Sequence, residues 1–396
     1  MKFKKYAILP ISALLLMLGS TSCEKSKTAE SPKAEIFQAS YMDSSVNASD
    51  DFYRYAVGNW LKKNAIPSSE EEWGSFQVLG EENKKLIHQI LEETAKADQK
   101  AGSNAQKIKD FYVSGMDSVA LNKEGVKPLE PYFAQIAALK DKKEMLKLVG
   151  EWTGKGMVTI YSVDADQDMK KSTEIAAYYG QAGTTLPEKD YYFSTEEATK
   201  KIRTEYVAHI AKVFQLLGDN ADAATKASEV VLKIETALAK GQMGRVEMRD
   251  PKKLYNKMTY ADLNKLSPEM DWNDQATLAA VPKTDSIIVT QPSYFKGLND
   301  ALKTTSIDDW KTYLRWQLTA QNGKFLSDNF VKQFFSFNGT VLSGIKENKP
   351  RWERVMRMIN SSLGEAMGEV YVAKAFKPEA KERMVKLVTS LQGVFK

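Results

Sequence analysis

The chain has 396 residues, 43% of them hydrophobic, which is enough for one large or two ordinary domains with real cores. Its formal net charge is +5, but no basic run interleaves with aromatics, which argues against a nucleic-acid groove. A single cysteine, Cys23, excludes a disulfide framework, so packing alone must hold the fold.

The first segment, Met1 to Cys23, joins a basic start (Lys2, Lys4, Lys5) to an apolar run from Ala7 to Leu18 and a small-residue stretch, Gly19-Ser20-Thr21-Ser22. The run is too short to span a bilayer and reads as a secretion signal. A lone cysteine directly after it predicts a bacterial lipoprotein, with Cys23 acylated and made the first residue of the mature chain; an ordinary cleaved signal with an incidental cysteine is the alternative. The lipid would hold the protein to a membrane of the cell envelope, periplasmic or surface-facing. Residues 24–48 are rich in lysine, serine and glutamate without an apolar face and are expected to form a flexible tether.

The folded part is expected at 49–396. Asp50 or Asp51 caps a helix with Phe52, Tyr55, Ala56 and Trp60 at helical spacing, Lys62-Lys63-Asn64 ends it, and Ile66-Pro67 forces an extended exit. A second helix is expected from Ser68 or Ser69, with Glu71 or Glu72 closing a capping box. Its apolar set is Trp73, Phe76, Leu79, Leu86, Ile87, Ile90 and Leu91, and the two helices would meet in an aromatic seam. Further helices are read at Ile108–Met116, Leu129–Leu139 and Lys142–Trp152. Gly156 to Val163 (GMVTIYSV) and Thr173 to Tyr179 (TEIAAYY) then predict one β-hairpin across a polar turn, Asp164 to Ser172. Gly180 to Gly183, followed by Leu186-Pro187 and Tyr191-Tyr192, predict a fixed bend; a phosphate-cradling loop is excluded because no Lys-Ser or Lys-Thr follows.

The second half is helical by pattern: Thr195–Leu217, Asp222–Ala239, Tyr294–Leu302, Asp308–Leu326, Ser327–Gly339 and a helix opened by Pro350, with Ile287–Thr290 as a short strand. From Pro378 onward, Met384, Leu387, Val388, Leu391, Val394 and Phe395 keep helical spacing to the end of the sequence. That pattern reads either as an interrupted domain or as a helix that docks at the end of the protein.

Several stretches carry a resemblance. They are DDFYRYAVGNWLKKNAIP, WGSF and EEN near the start, KDFYVSGMDS, the Leu186 to Tyr192 phrase, and then YLRWQL, LSGIKE, PRWERV and LGEAMGEVYV. In residue type and in order they resemble the neprilysin and endothelin-converting-enzyme family of zinc metalloendopeptidases, from Asp50 to the last residue. The resemblance implies a mainly α fold, a multi-helical lobe with one β-hairpin, equivalent to the amino-terminal domain of such peptidases.

It also implies a catalysis in which zinc is held by the two histidines of an H-E-x-x-H helix and a later glutamate, with the motif's own glutamate as general base. This sequence has no such motif. Its two histidines, His88 and His209, fall on separate helices, each with a glutamate four residues away (Glu92, Glu205) to pair with at the surface. No catalytic residue and no metal ligand is therefore expected in this chain. Zinc would belong to a separate or downstream catalytic domain of the full-length enzyme.

By position, Phe76 matches an aromatic that in relatives lines the pocket for the side chain just after the cut bond; Trp73, on the same stretch, joins it as a candidate substrate-binding residue. Where some relatives carry arginines for a peptide's terminal carboxylate, this chain has Glu72 and Gly80, so that clamp is missing. The expected function is the substrate-cleft lobe of a peptide-cleaving enzyme, inactive alone, as a fragment of a longer reading frame or a truncated relative that binds peptides. A helical surface lipoprotein that captures nutrients such as glycans is the alternative from a different class.

Overall fold

The computed structural model describes residues 38–157 and 160–395. The expected signal, its Cys23 and the tether up to residue 37 lie outside the described residues. By its internal contacts the chain divides into two compact units, Met1–Ala65 and Ile66–Lys396.

In the first unit, α1 (Phe52–Lys63) is capped as expected, Asp51 accepting from the Arg54 amide, with Lys62 and Lys63 in its last turn. Part of the segment expected as tether is folded onto this helix. The Met42 carbonyl accepts from Asn59 Nδ2 at 2.6 Å, and Asp43 accepts from Lys62 Nζ at 2.6 Å. A hydrogen bond from Lys62 and two from Ser45 hold the Asp43 carboxyl down at about 2. Gly58 makes room for this contact, since a Cβ there would meet Asp43 Cβ at 2.8 Å.

The second unit opens with a correction. Helix α2 runs Ser75–Lys96 behind Gly74, not from Ser68 or Ser69. The Ser68 hydroxyl donates to Glu347 Oε2 at 2.8 Å, and the Ser68 carbonyl accepts from the amides of Lys346 and Glu347. These long-range bonds hold the capping-box residues in a turn and override the local helix signal. Helix α2 packs with α3 (Asn104–Met116) and, from far along the chain, α16 (Arg351–Ala375), around a small core of Ile90, Leu91, Ile108, Tyr112, Met356 and Ile359.

After α4 (Ser118–Glu124), which buries no residue, a second, larger core is gathered from α5 (Glu130–Ala138), α6 (Lys142–Gly154) and the elements that follow. The hairpin is present but longer than expected: β1 (Tyr161–Asp168) and β2 (Lys171–Gln181) pair antiparallel, with a bulge at Gln167/Asp168 and a tight turn at Met169-Lys170. The outer part of the ribbon is exposed on both faces, so backbone pairing extends it without the apolar alternation that would have marked it in sequence. After α7 (Asp190–Phe193), α8 (Glu197–Leu216), α9 (Ala221–Gly241) and α10 (Pro251–Leu254) comes β3 (Lys257–Met258). Then follow α11 (Tyr260–Leu266), α12 (Trp272–Leu278) and β4 (Ile287–Val289). The hairpin thus belongs to a four-stranded sheet, β1-β2-β4-β3, in which β4 is parallel to β2 and antiparallel to β3. Tyr161, Tyr179, Trp272 and Phe295 pack edge to face beneath it.

The chain then runs through α13 (Pro292–Thr304), α14 (Ile307–Asn322), α15 (Asp328–Phe335), a π-helical turn at Ser336–Val341, α16 and α17 (Pro378–Phe395). Helices α9 and α13 cross closely through Gly241 and Gly297, where an added Cβ would meet backbone at 2.8 and 3.2 Å. Helix α17 has no buried residue. Among the described residues no helix is long and apolar enough to cross a membrane.

The bend expected at Gly180 to Tyr192 is fixed by the middle of this core. Gly183 sits at φ +81°, which only glycine adopts readily, and its carbonyl accepts from the Tyr313 hydroxyl at 2.5 Å. Two residues on, Thr185 donates to Glu235 of α9 at 2.7 Å, and Tyr192, Tyr206, Trp316 and Gln317 donate to the same carboxyl at 2.7 to 3.3 Å. Glu235 is wholly buried, and desolvation pushes its pKa above the ordinary carboxylate value against the pull of the Tyr192, Thr185 and Tyr206 hydroxyls. Glu235→Ala should leave these donors unpaired in the interior and destabilise the protein by about 3–5 kcal/mol, measured as a lowered urea midpoint at unchanged m-value. A change below about 1 kcal/mol would show that the carboxyl is incidental to the bend.

Candidate functional site

The two ends of α2 have opposite surroundings. Its last turns bury Ile90, Leu91 and Thr94, whereas its first turns hold Phe76 88% exposed, with Val78 and Leu79 also exposed. Trp73 stands half-buried just ahead of the helix. Gly74, in an extended conformation at the cap, separates the indole from the displayed phenylalanine. The structure therefore places both expected substrate-binding residues at one helix start, one half-buried and one exposed.

The display is braced by a network of charges that sequence reasoning did not find. Lys84 of α2 lies 2.5 Å from Glu81, 3.1 Å from Glu353 of α16 and 3.7 Å from Glu70. Lys349 pairs with Glu70 and reaches Glu353 at 4.0 Å, and Arg357 pairs with Glu353 at 2.9 Å. Glu353 is 5% exposed; burial raises its pKa, but the bonds from Arg357 and Lys84 outweigh it and hold the carboxyl below its ordinary value. These pairs tie the turn before α2 to the start of α16. The two pairs that cross, Lys349 with Glu70 and Lys84 with Glu353, join residues far apart in the chain, so no local spacing signals them.

At the positions where the resemblance implied arginines, Glu72 accepts from Gln77 Nε2 at 2.5 Å and Gly80 faces open space. An acid and a glycine cannot clamp a carboxylate there.

The histidines are each accounted for by local contacts. His88 stacks on Trp352 with ring centroids 4.0 Å apart, and its Nε2 is 3.8 Å from Glu92, close to the surface pairing expected. His209 differs from expectation. It is buried, stacked on Phe337 and edge-on to Phe334 and Trp316, and its Nδ1 is 3.0 Å from Gln333 Nε2, while Glu205 is exposed. Among the described residues there is no group of three or more histidine, cysteine, aspartate and glutamate side chains that could hold a metal ion. The residues present do not fit a catalytic zinc: one imidazole is stacked at the surface, the other is enclosed by aromatics, and they lie on different helices.

Comparison with known proteins identifies the class. A helical lobe of this topology is found in zinc metallopeptidases: the structure of the zinc metalloprotease Zmp1 of Mycobacterium tuberculosis in complex with inhibitor superposes with a TM-score of 0.83 at 28% identity, over 90% of this chain and 54% of that one. Human endothelin-converting enzyme 1 is 26% identical over 380 residues, covering 90% of this chain and 47% of the relative. Neprilysin-3 of Drosophila melanogaster is 28% identical over 377 residues, covering 90% and 48%. The model of the amino-terminal part of peptidase family M13 matches residues 48–396, and the chain belongs to that family. It spans about half the length of the curated relatives it matches. The mainly helical lobe with its hairpin is thus as the resemblance implied.

His209 supplies a test of the site's packing. Burial holds its imidazole down to about 4, whereas the unfolded chain takes up that proton near 6.5. Between those values the unfolded state binds more protons, so this contribution to stability is complete above pH 6.5 and is lost as pH falls toward 4, by about 3 kcal/mol. Chemical denaturation at a series of pH values should show the slope in the wild type, and His209→Asn should flatten it in that window.

Proposed function

We propose that residues 48–396 form the substrate-cleft lobe of a zinc metalloendopeptidase that processes or degrades peptides, and that the α2 start with Phe76 and Trp73 is its peptide-contacting face. The observation that carries this reading is Phe76 itself. A large aromatic held 88% exposed together with the exposed Val78 and Leu79, on a helix whose other end is buried, makes an apolar patch of a kind that supports contact with a partner. Membership of peptidase family M13 and likeness to a zinc metalloprotease support peptides as that partner.

The same proposal holds that this stretch does not hydrolyse peptides by itself. With histidines only at 88 and 209 and no H-E-x-x-H, its sequence lacks the ligand set that would activate a water on zinc. The zinc-bearing lobe would be supplied by residues outside this stretch, downstream or on a separate polypeptide. We propose further that Cys23 is acylated and holds the protein to a membrane of the bacterial cell envelope, on the strength of the basic, apolar and small-residue order that precedes it.

Two measurements test these statements. Fluorescence anisotropy with a labelled peptide rich in large apolar residues should show saturable binding to the chain, weakened about tenfold or more by Phe76→Ser, while the unfolding midpoint moves by less than about 0.5 kcal/mol equivalent. Equal affinity in wild type and variant would remove Phe76 from the site. Metal analysis and a cleavage assay on the same purified chain should give neither stoichiometric zinc nor peptide hydrolysis; finding both would overturn the division of labour proposed here. Detergent-phase partition lost in Cys23→Ser is the expected sign of the anchor.

A further inference from the structure

Helix α16 turns Glu353 toward the charge network and presents a different face to a groove. That groove, of about 460 Å³, is walled by Val331, Phe334, Phe335 and Met358 and rimmed by Lys324, Arg354 and Arg357. A smaller recess of about 170 Å³ adjoins it and shares Lys324, Val331, Arg354 and Met358. Among the described residues that line either space, none is acidic.

The cations around the groove are not equally occupied. Arg351, in the recess, donates to the Gly115 carbonyl and pairs with Asp328 at 3.3 Å, and Arg357 pairs with Glu353. The two central cations lack such partners among the described residues. Lys324 lies over the Phe325 ring at 5.0 Å and has no ion pair. Arg354 forms no side-chain hydrogen bond or ion pair, and its Nε is buried without an acceptor. Desolvation and then the neighbouring Arg351 lower its pKa; Asp328, which is bonded to Asn122 and paired with Arg351, opposes them through space without outweighing them. A guanidinium partly withdrawn from water, with its neighbouring carboxylate Asp328 paired to Arg351 instead, is a cost to the fold that an anion from outside would relieve.

The remaining wall is irregular in a way that suits a ligand. The π-helical turn at Ser336–Val341 places Asn338 and Gly339 at the groove, and a Cβ at Gly339 would strike the Phe335 ring. Such turns interrupt helices most often beside functional sites.

We propose that this groove binds an acidic residue of a peptide together with an adjacent large apolar side chain, the carboxylate on Arg354 and Lys324 and the apolar group against Phe334, Phe335 and Met358. The planar guanidinium suits a carboxylate, and the aromatic wall suits its neighbour. The inference rests on the reading of this lobe as peptide-binding and adds a charge preference to it. It also supplies a cationic anchor in a lobe where Glu72 and Gly80 offer none.

The test uses the chain with two labelled peptides that differ only in Phe-Glu against Phe-Gln. The Glu peptide should bind about tenfold or more tightly than the Gln peptide. That preference should vanish in Arg354→Gln and shrink in Lys324→Gln, a change at an exposed side chain that leaves folding intact. If Arg354→Gln fails to fold, Lys324→Gln decides. Equal binding of both peptides would overturn the groove assignment and leave the proposed function standing, whereas binding of neither would overturn both. Competition by inorganic phosphate or by vesicles of anionic phospholipid, with no discrimination between the peptides, would overturn the peptide assignment in favour of a simple anion or lipid site.

Discussion

A carboxyl group removed from water has to find donors or lose its charge, and the way Glu235 meets that demand sets the position of much of the larger core. Its donors come from the bend (Thr185), from α7 (Tyr192), from α8 (Tyr206) and from α14 (Trp316, Gln317), while the carboxyl rides on α9. Four helices and a loop are therefore specified at one point. Apolar packing tolerates small slides between helices, but a shared acceptor with fixed donor directions does not. Tyr294 and Tyr313 extend the same control outward by donating to the carbonyls of Ala182 and Gly183. In a fold without disulfides, this cluster supplies the fixed geometry that cross-links would otherwise give.

That rigidity is not shared evenly. The smaller core of α2, α3 and α16 is built from helices distant in sequence, and is joined near the start of α2 by ions rather than by apolar layers. Partly buried pairs of this kind are held in place by geometry and weakened when one partner is removed, because the other is then stranded. On the proposal that this lobe meets a peptide, the arrangement is an advantage. The interior fixes the scaffold, and the face with Phe76 rests on contacts that small shifts can repack.

Much of this fold was legible in the sequence where local chemistry decides structure. The long helices follow their apolar spacing, and caps at Asp51, Ser103, Asp141 and Asn220 use side chains suited to the role. The misreadings have two causes. Ser68 was diverted from capping by bonds to Lys346 and Glu347, the outer hairpin by backbone pairing with little burial, and His209 from the surface by an aromatic enclosure assembled from α8, α14 and α15 with the π-helical turn. For Ser68 and His209 the deciding partners are remote in the chain; for the hairpin they are close by but leave no apolar alternation to read. The candidate site divides the same way. Phe76 and Trp73 are candidates through resemblance, whereas Glu353 and Arg354 look in sequence like any charged helix face.

Glu235 and Arg354 place the same physical demand before the protein and receive opposite answers. Each is an ionisable group taken wholly or partly from water, and each has its pKa moved toward the neutral form by that withdrawal. Around Glu235 the fold gathers hydroxyl, indole and amide donors until the carboxyl is fully engaged, which is how a buried charge serves structure. Around Arg354 it gathers Lys324, Arg351 and Arg357, gives the nearby Asp328 carboxylate to Arg351, adds apolar walls, and leaves Nε without an acceptor. A chain able to satisfy the first so completely is under no geometric compulsion to leave the second unpaired. Cations gathered around an apolar groove oppose folding through mutual repulsion, and the arrangement has a physical rationale once the groove is taken to await a negative group from outside the fold.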